Sequence, residues 1–396
     1  MITSMDRYDF KFKHVLIRVD FNVPTDERLR ITDDTRITES LPSIEQIIDD
    51  GGIPIILSHM GRPKGKKNAK FSLEIVANYM NKKWGYNVIF ASDCLGKPAQ
   101  RAVDKAKPGD IVLLENLRFY DQEVANDMEF AKELGKLGDV YVNDAFGTVH
   151  REHASIHALP SLFAKKFAGK SVMYELRYLR NALNEPKSPY VAVVGGAKIS
   201  GKIEVIRELI KKCDKILIGG GMMFTFMKAK GYEIGRSIYE ADAVGLAKEL
   251  MAEAEAEKCD LILPSDVVIA DRFANDAERE NVPVDQLPKD WLGMDIGIDT
   301  RAQFTEIIKA AKTVAWNGPM GVFEMKRFSM GTKAVAYSIA NATAHGAITI
   351  LGGGDSAAAM RKLHLFNKVT HVTPGGGAWL KYMEGKGLPG IEALKQ

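Results

Sequence analysis

The residues of this chain best placed to do chemistry stand at the ends of short apolar runs, and they are of two kinds. In the second half the runs close in glycine: Tyr190-Val-Ala-Val-Val leads to Gly195 and Gly196, and Lys215-Ile-Leu-Ile to Gly219, Gly220 and Gly221. Ile348-Thr-Ile-Leu leads to Gly352, Gly353, Gly354, Asp355 and Ser356, and His371-Val-Thr-Pro to Gly375, Gly376 and Gly377. Glycine allows positive φ and lets backbone approach a ligand with no Cβ in the way. Helix starts after such runs present N–H groups to phosphate. Lys198 and Lys202, four apart just after Gly195 and Gly196, add cations where a helix N-terminus already favours anions. A pair of solvated surface lysines is the plain alternative. Asp355, at a good helix start, reads either as an N-cap or as the lone carboxylate that suits Mg²⁺ beside substrate phosphates.

In the first half the runs close in charge. Arg18-Val-Asp20-Phe-Asn22 is followed by Asp33-Asp-Thr-Arg36, then by Ser58-His59-Met-Gly-Arg62, Glu115-Asn-Leu-Arg118, and Asn143-Asp-Ala-Phe-Gly-Thr-Val-His-Arg151. Arginine recognises phosphate and carboxylate with two parallel hydrogen bonds. Any one arginine could be a solvated surface residue. Arg36, Arg62, Arg118 and Arg151 together with His59 read as a site for a small polyanion.

The elements that must position these groups are strands alternating with helices. Strand-like runs fall at 14–19, 53–57, 88–90, 111–114, 140–142, 191–194, 216–218, 261–263, 313–316 and 347–351. Amphipathic stretches lie between them; over 202–213, Ile203, Ile206, Leu209, Ile210 and Cys213 recur at helical spacing. Residues 241–258, rich in Ala and Glu, also read as helix. Alternation on this scale predicts an α/β fold of two similar Rossmann-like lobes, each a parallel sheet with helices on both faces. Ligands then sit at the carboxyl ends of the strands. The helical stretch 169–183 and the break Asn184-Glu-Pro-Lys-Ser-Pro189 mark the boundary.

Composition narrows the function classes. At 396 residues the chain predicts two or three domains. A net charge of only +3, from 54 basic and 51 acidic residues, argues against a general nucleic-acid or membrane-surface binder, so anion binding must be local. No apolar run of about 18 residues is present to span a membrane, and the first residues lack the apolar stretch of a signal peptide. Three scattered cysteines, Cys94, Cys213 and Cys259, argue against disulfides and zinc and for a reducing cytoplasm.

Taken together, the motifs carry a resemblance. Arg18-Val-Asp-Phe-Asn-Val-Pro24, Leu57-Ser-His-Met-Gly-Arg-Pro63, Asn143-Asp-Ala-Phe-Gly-Thr148, Gly195-Gly-Ala-Lys198, Trp316-Asn-Gly-Pro-Met-Gly-Val-Phe-Glu324, Gly352-Gly-Gly-Asp-Ser356 and Glu384-Gly-Lys-Gly-Leu-Pro-Gly390 resemble, in order, those of the phosphoglycerate kinases. The resemblance implies reversible phosphoryl transfer between 1,3-bisphosphoglycerate and ADP, with Mg²⁺, giving 3-phosphoglycerate and ATP. It implies a cytoplasmic enzyme, a monomer without nucleic-acid or membrane partners. Residues 1–170, with the tail 378–396 packing back on them, would form the 3-phosphoglycerate lobe. Residues 171–377 would supply a hinge helix and the nucleotide lobe.

By the same resemblance, Asp20, Asn22, Arg36, His59, Arg62, Arg118 and Arg151 would hold the acid phosphate. Gly195, Gly196, Lys198, Lys202, Gly219, Gly220, Asn317, Pro319, Glu324, Gly352, Gly353, Gly354, Asp355 and Ser356 would hold the nucleotide, with Glu324 on the ribose and Asp355 on the metal. Arg36, Lys198, Gly375 and Gly376 would neutralise the group in flight. Three positions depart from the usual pattern. Thr373-Pro374-Gly375 stands for Ser-Thr-Gly, Ser356 for Thr, and Tyr174 for Lys. Two other readings compete. A dinucleotide dehydrogenase needs Gly-x-Gly-x-x-Gly with an acidic residue about 20 positions on, which no cluster supplies. A nucleotide binder without catalysis has no use for the arginine set, Lys198 or Asp355.

Overall fold

The computed structural model describes residues 2–183, 186–373 and 375–395. Asn184 and Glu185 of the expected break, and Pro374, lie outside the described residues. The chain divides into two compact units, Met1–Arg177 with Gly387–Gln396, and Tyr178–Lys386. The expected tail 378–396 is thus shared: its first part, in the helix Gly376–Met383, belongs to the second unit, and only Gly387 onward to the first.

The first unit is built on six parallel strands, β1 (His14–Arg18), β2 (Ile53–Leu57), β3 (Asn87–Ala91), β4 (Asp110–Leu114), β5 (Val140–Asn143) and β6 (Lys166–Ala168). Their order is β3-β4-β2-β1-β5-β6. Near-continuous apolar runs such as Ile-Pro-Ile-Ile-Leu in β2 are buried along their whole length, as strands covered on both faces require. Each fully buried Ile or Leu contributes roughly 1.5–3 kcal/mol. The chain leaves β1 toward β2 and later returns to its other side as β5. That reversal makes a topological switch point, and the carboxyl ends of β1, β2 and β5 open beside it.

The second unit repeats the plan. Its parallel sheet comprises β7 (Tyr190–Val194), β8 (Lys215–Ile218), β9 (Asp260–Ile262), β13 (Thr313–Asn317), β14 (Ile348–Gly352) and β15 (His371–Thr373), ordered β15-β14-β13-β7-β8-β9. Here the switch point lies between β7 and β13. Register brings the glycine-bearing ends level: Val194 pairs with Asn317, Asn317 with Gly352, and Gly352 with Thr373.

Two features escape the periodicity reading. A three-stranded antiparallel sheet, β11-β10-β12, uses β10 (Asp266–Ala270), β11 (Arg279–Pro283) and β12 (Leu292–Ile296). In β11, Arg-Glu-Asn-Val-Pro, the side chains face mainly solvent, so no hydrophobic alternation announces it. β6 has only three residues. The helix expected over 202–213 is shorter, Ile203–Ile210, and begins after Lys202. Lys198 therefore stands on a loop before the helix, because Gly201 and the turn at Ile199–Lys202 delay the first helical residue. The 241–258 stretch forms a helix over Val244–Ala256.

Candidate functional site

In the first unit the sequence-predicted anion residues converge. Arg62, Arg118 and Arg151 line a cavity of about 420 Å³, together with Lys64 and His153. Asp20, Asn22 and Arg36 are tied to it by hydrogen bonds. Arg118 Nη1 donates to Gly61 O at 2.8 Å, and Gly61 N donates to Asn22 Oδ1 at 2.8 Å. Arg36 Nη1 donates to Asn22 O at 3.2 Å and to Asp20 Oδ2 at 2.9 Å. Arg36 belongs to the first turn of the helix Thr35–Asp49, where the dipole disfavours a cation, and Asp20 offsets that cost.

Positive charge is held here against solvation. Burial pushes the Arg118 guanidinium down to about 10, and the neighbouring Arg151 and Arg18 add to the shift. Its Nε is buried without a hydrogen-bond partner. Arg151 is shifted down as well, first by burial. A group that must stay cationic in such company is relieved by an anion.

His59, only 2% exposed, is held neutral, its pKa driven well below the usual value by burial and then by Arg18, Arg118, Arg151 and Arg36. Arg18 Nη2 lies 3.2 Å from His59 Nδ1. Since guanidinium only donates, Nδ1 must accept and the ring proton must sit on Nε2. Asp20 Oδ1, 3.8 Å from the same Nδ1, would suggest an ion pair. The donor geometry of Arg18 and the surrounding cations decide for the neutral ring.

Sequence reasoning did not assign Arg18, which is fully buried at the end of β1. Its Nε donates to Ser155 Oγ at 3.0 Å, and Nη1 donates to Val19 O. The signal was present, an arginine closing an apolar run, but a residue inside a strand gave no sign of facing a site.

The second unit holds a cavity of about 440 Å³ lined by Gly196, Gly220, Pro319, Glu324 and Asp355 of the predicted set. Apolar side chains that sequence did not single out complete it, among them Met223, Phe224, Ile238, Phe273, Leu292 and Val322, with Arg236 at its wall. A slot with this lining suits a flat aromatic base, with carboxylates at hand for hydroxyls and cations.

The other predicted nucleotide residues take different places. Several glycine amides point at neighbouring loops instead of outward: Gly195 N donates to Asn317 O, Gly196 N to Pro319 O, and Gly220 N to Met320 O, each at 2.9 Å. Gly219 N donates to Val194 O, also at 2.9 Å. A Cβ on Gly195 would come within 2.2 Å of Pro319 O. Gly195, Gly196, Gly219 and Gly220 therefore spend their N–H groups on neighbouring backbone carbonyls. Lys202 Nζ turns inward onto Gly195 O at 2.5 Å and Asn317 O at 3.2 Å, and burial brings its pKa down to about 8. Asn317 Nδ2 donates to Gly352 O at 2.9 Å, and Ser356 Oγ accepts from Gly318 N at 2.9 Å. These three side chains bind the loops to one another.

Lys198 is exposed on its loop. Glu240 fixes that loop, accepting from Ile199 N at 2.6 Å and Ser200 N at 3.0 Å. Amides with no intrahelical acceptor remain at the starts of the helices Gly354–Lys362 and Gly376–Met383. The two starts are neighbours, since a Cβ on Gly376 would lie 3.0 Å from Gly353 Cα. Gly353, Gly354, Gly375 and Gly376 thus share one corner. Among the described residues no cluster of three or more His, Cys, Asp or Glu side chains is placed to hold a metal. The carboxylate of Asp355, exposed in the first helical turn, fits a cation that brings its other ligands with it.

Comparison with known proteins agrees with this geometry. A family model described as phosphoglycerate kinase matches residues 5–386. The chain is 52% identical over 382 residues to a phosphoglycerate kinase of Chlorobium chlorochromatii, covering 96% of each chain. It is 51% identical over 389 residues to one of Chlorobium phaeobacteroides, covering 98% of each. Among solved structures, it is similar to phosphoglycerate kinase from Coxiella burnetii, with a TM-score of 0.90, 37% identity, and coverage of 100% of this chain and 99% of that one. The enzyme from Pyrococcus horikoshii gives a TM-score of 0.83 at 29% identity, with coverage of 99% and 98%. The arginine-tipped strands, the glycine-joined loops and these matches have one reading: the chain belongs to the phosphoglycerate kinase family, and is a phosphotransferase enzyme.

Proposed function

We propose that this chain transfers a phosphoryl group reversibly between 1,3-bisphosphoglycerate and ADP, with Mg²⁺, yielding 3-phosphoglycerate and ATP. The observation that carries the reading is the first unit's cavity, where Arg118 stays buried among Arg18 and Arg151. A small acid phosphate, with both a carboxylate and a phosphate charge, is the ligand that relieves it.

The reaction asks little of acid–base chemistry. Toward ATP the leaving group is a carboxylate; in reverse the nucleophile is a carboxylate already ionised at neutral pH. A neutral His59 accords with a binding role, its Nε2–H donating to the acid. Phosphoryl transfer gains more from positioning and from charge neutralisation. Arg36, prepositioned by Asp20, would meet the group in flight from the acid side. Lys198 and the backbone of Gly375 and Gly376, at the start of the helix Gly376–Met383, would meet it from the nucleotide side. Asp355 would hold Mg²⁺, which when bound neutralises the nucleotide's phosphate oxygens, and Glu324 would accept from ribose hydroxyls. Free, buried Cys94, Cys213 and Cys259 support a reducing, cytoplasmic setting.

The test is a coupled assay. 3-Phosphoglycerate and MgATP, linked to an NADH-consuming dehydrogenase, should oxidise NADH; folded protein without turnover overturns the assignment. Because acid and nucleotide sites belong to different compact units, direct transfer requires the units to close and exclude water. The helix Lys170–Leu183, which runs across the boundary, is the proposed hinge. Small-angle scattering with both substrates should show a smaller radius of gyration than either alone, and an unchanged radius rules closure out.

A further inference from the structure

Behind His59 lies a hydrogen-bonded chain that no substrate atom needs to touch. Glu123, fully buried, accepts from Ser155 N at 2.9 Å and from Ser155 Oγ at 2.6 Å. A serine hydroxyl has one proton, and here it goes to Glu123. The lone pairs of the same oxygen then accept from Arg18 Nε at 3.0 Å, while Arg18 Nη2 reaches His59 Nδ1 at 3.2 Å. Every link has a fixed direction: carboxylate, hydroxyl, guanidinium, imidazole. Ser155 is itself fully buried and lies 137 residues from Arg18.

We propose that Glu123 and Ser155 are positioning residues for acid-phosphate binding, holding Arg18 so that it fixes His59 in the tautomer with its proton on Nε2. This rests on the proposed function for the identity of the ligand, but the tautomer belongs to the protein alone. The arrangement explains why a serine stands between Glu123 and Arg18. A direct carboxylate–guanidinium pair would be stronger, and it would draw Arg18 away from His59. With the hydroxyl between them, Glu123 compensates the buried charge of Arg18 at one remove and leaves Nη2 for the ring. Without Arg18 on Nδ1, the neutral imidazole is free to carry its proton on either nitrogen. It then offers a donor to the acid only part of the time.

The experiment is long-range ¹H–¹⁵N spectroscopy of the histidine rings in the full, ligand-free chain. His59 is picked out of the eight histidines by comparison with His59→Gln. The wild type should show an unprotonated Nδ1 and a protonated Nε2. Ser155→Ala should give mixed tautomers at His59 and weaken 3-phosphoglycerate binding, measured by calorimetry, in proportion to the lost fraction of the Nε2–H tautomer, about twofold for an even mixture. MgADP binding should not change. Glu123→Gln, which keeps shape and hydroxyl, should move both readouts the same way by less, and it carries the test if Ser155→Ala does not fold. An unchanged tautomer and unchanged affinity in a folded variant overturn the proposal. A wild type with the expected tautomer that fails to bind 3-phosphoglycerate overturns the proposed function and leaves the positioning chain standing.

Discussion

On the proposed function the two units meet the same problem, holding phosphate at the carboxyl ends of parallel strands, with opposite materials. In the first, side chains do the holding. Strand ends carry arginines, one wholly buried and one shifted down to about 10, and their charge is assembled before any ligand arrives. In the second, the backbone builds the frame. Strand ends carry glycines, three loops are hydrogen-bonded to one another through Gly195, Gly196 and Gly220, and the cavity they frame is mostly apolar. On the proposed function, the difference follows from the ligands. A three-carbon acid phosphate offers charge and almost no apolar surface, so recognition must be electrostatic. A nucleotide offers a flat base as well, so a close-packed slot supplies affinity and only a few groups need to meet its phosphates. Charge is prepaid in one unit and conformation in the other.

Activity is where the contrast should break most visibly. Lys198 is an exposed cation beside a site built mainly of backbone and apolar side chains, while Arg36 is one of several arginines in a charged site. Lys198→Ala should therefore lower kcat by about 10²–10³-fold, the scale of removing one preorganised charge-stabilising donor. KM for 3-phosphoglycerate should stay near its original value. Arg36→Ala should lower kcat comparably and also raise that KM, because the same guanidinium lies beside the acid. Lys198→Ala should leave the urea midpoint unmoved, as an exposed loop residue makes few folding contacts. Equal KM shifts in the two variants would show that the sites are not divided as described.

Stability should respond to the glycines in the opposite sense. Gly220 has φ +66° and a Cβ there would lie 2.4 Å from Gly196 N. Gly220→Ala combines left-handed strain of about 1–2 kcal/mol with overpacking of about 1–3 kcal/mol, so a loss of about 3 kcal/mol is expected from chemical denaturation. Gly354, first in its helix, would have no atom within 4 Å of an added Cβ. Gly354→Ala should be neutral or stabilise by up to about 1 kcal/mol. It should nevertheless raise KM for the nucleotide if the Gly354 amide approaches phosphate. Unaltered nucleotide kinetics in Gly354→Ala would mean that no ligand group comes close to the Gly354 backbone.

Legibility in the sequence varied from residue to residue. The parallel strands were legible because burial on both faces demands continuous β-branched runs, and Tyr190–Val194 and Ile53–Leu57 are such runs. β11 was not, being short, polar and largely exposed. The charged site was legible because an arginine's chemistry is visible in its letter, and four of them followed strands. The glycine site was legible in place but not in use. Glycine's letter says that backbone comes close, without saying to what; at Gly195 and Gly220 it comes close to other loops. Nor does spacing distinguish Lys198 from Lys202. Only the fold shows that the second turns inward onto Gly195 O and Asn317 O while the first stays exposed.

One device is common to both units. Asp144, fully enclosed after β5, accepts from Ser171 N at 2.8 Å in the first turn of the helix Lys170–Leu183. Asp295, in β12, accepts from Gly331 N at 2.7 Å in the first turn of the helix Met330–Ala344. Burial raises each carboxyl from 3.8 to about 7, against the lowering pull of those amides. A carboxyl whose folded pKa lies above its unfolded one binds more protons when folded. Its contribution to stability is full below about pH 4 and is lost as pH rises through about 7. Both units should thus be less stable at pH 8 than at pH 5, by about 2 kcal/mol for each group. Asp144→Asn and Asp295→Asn should each flatten that slope, read from urea midpoints at the two pH values. Flattening by one variant and not the other would locate the titration in a single unit. A slope that survives both substitutions would mean that these carboxyls stay ionised, with the helix amides outweighing burial.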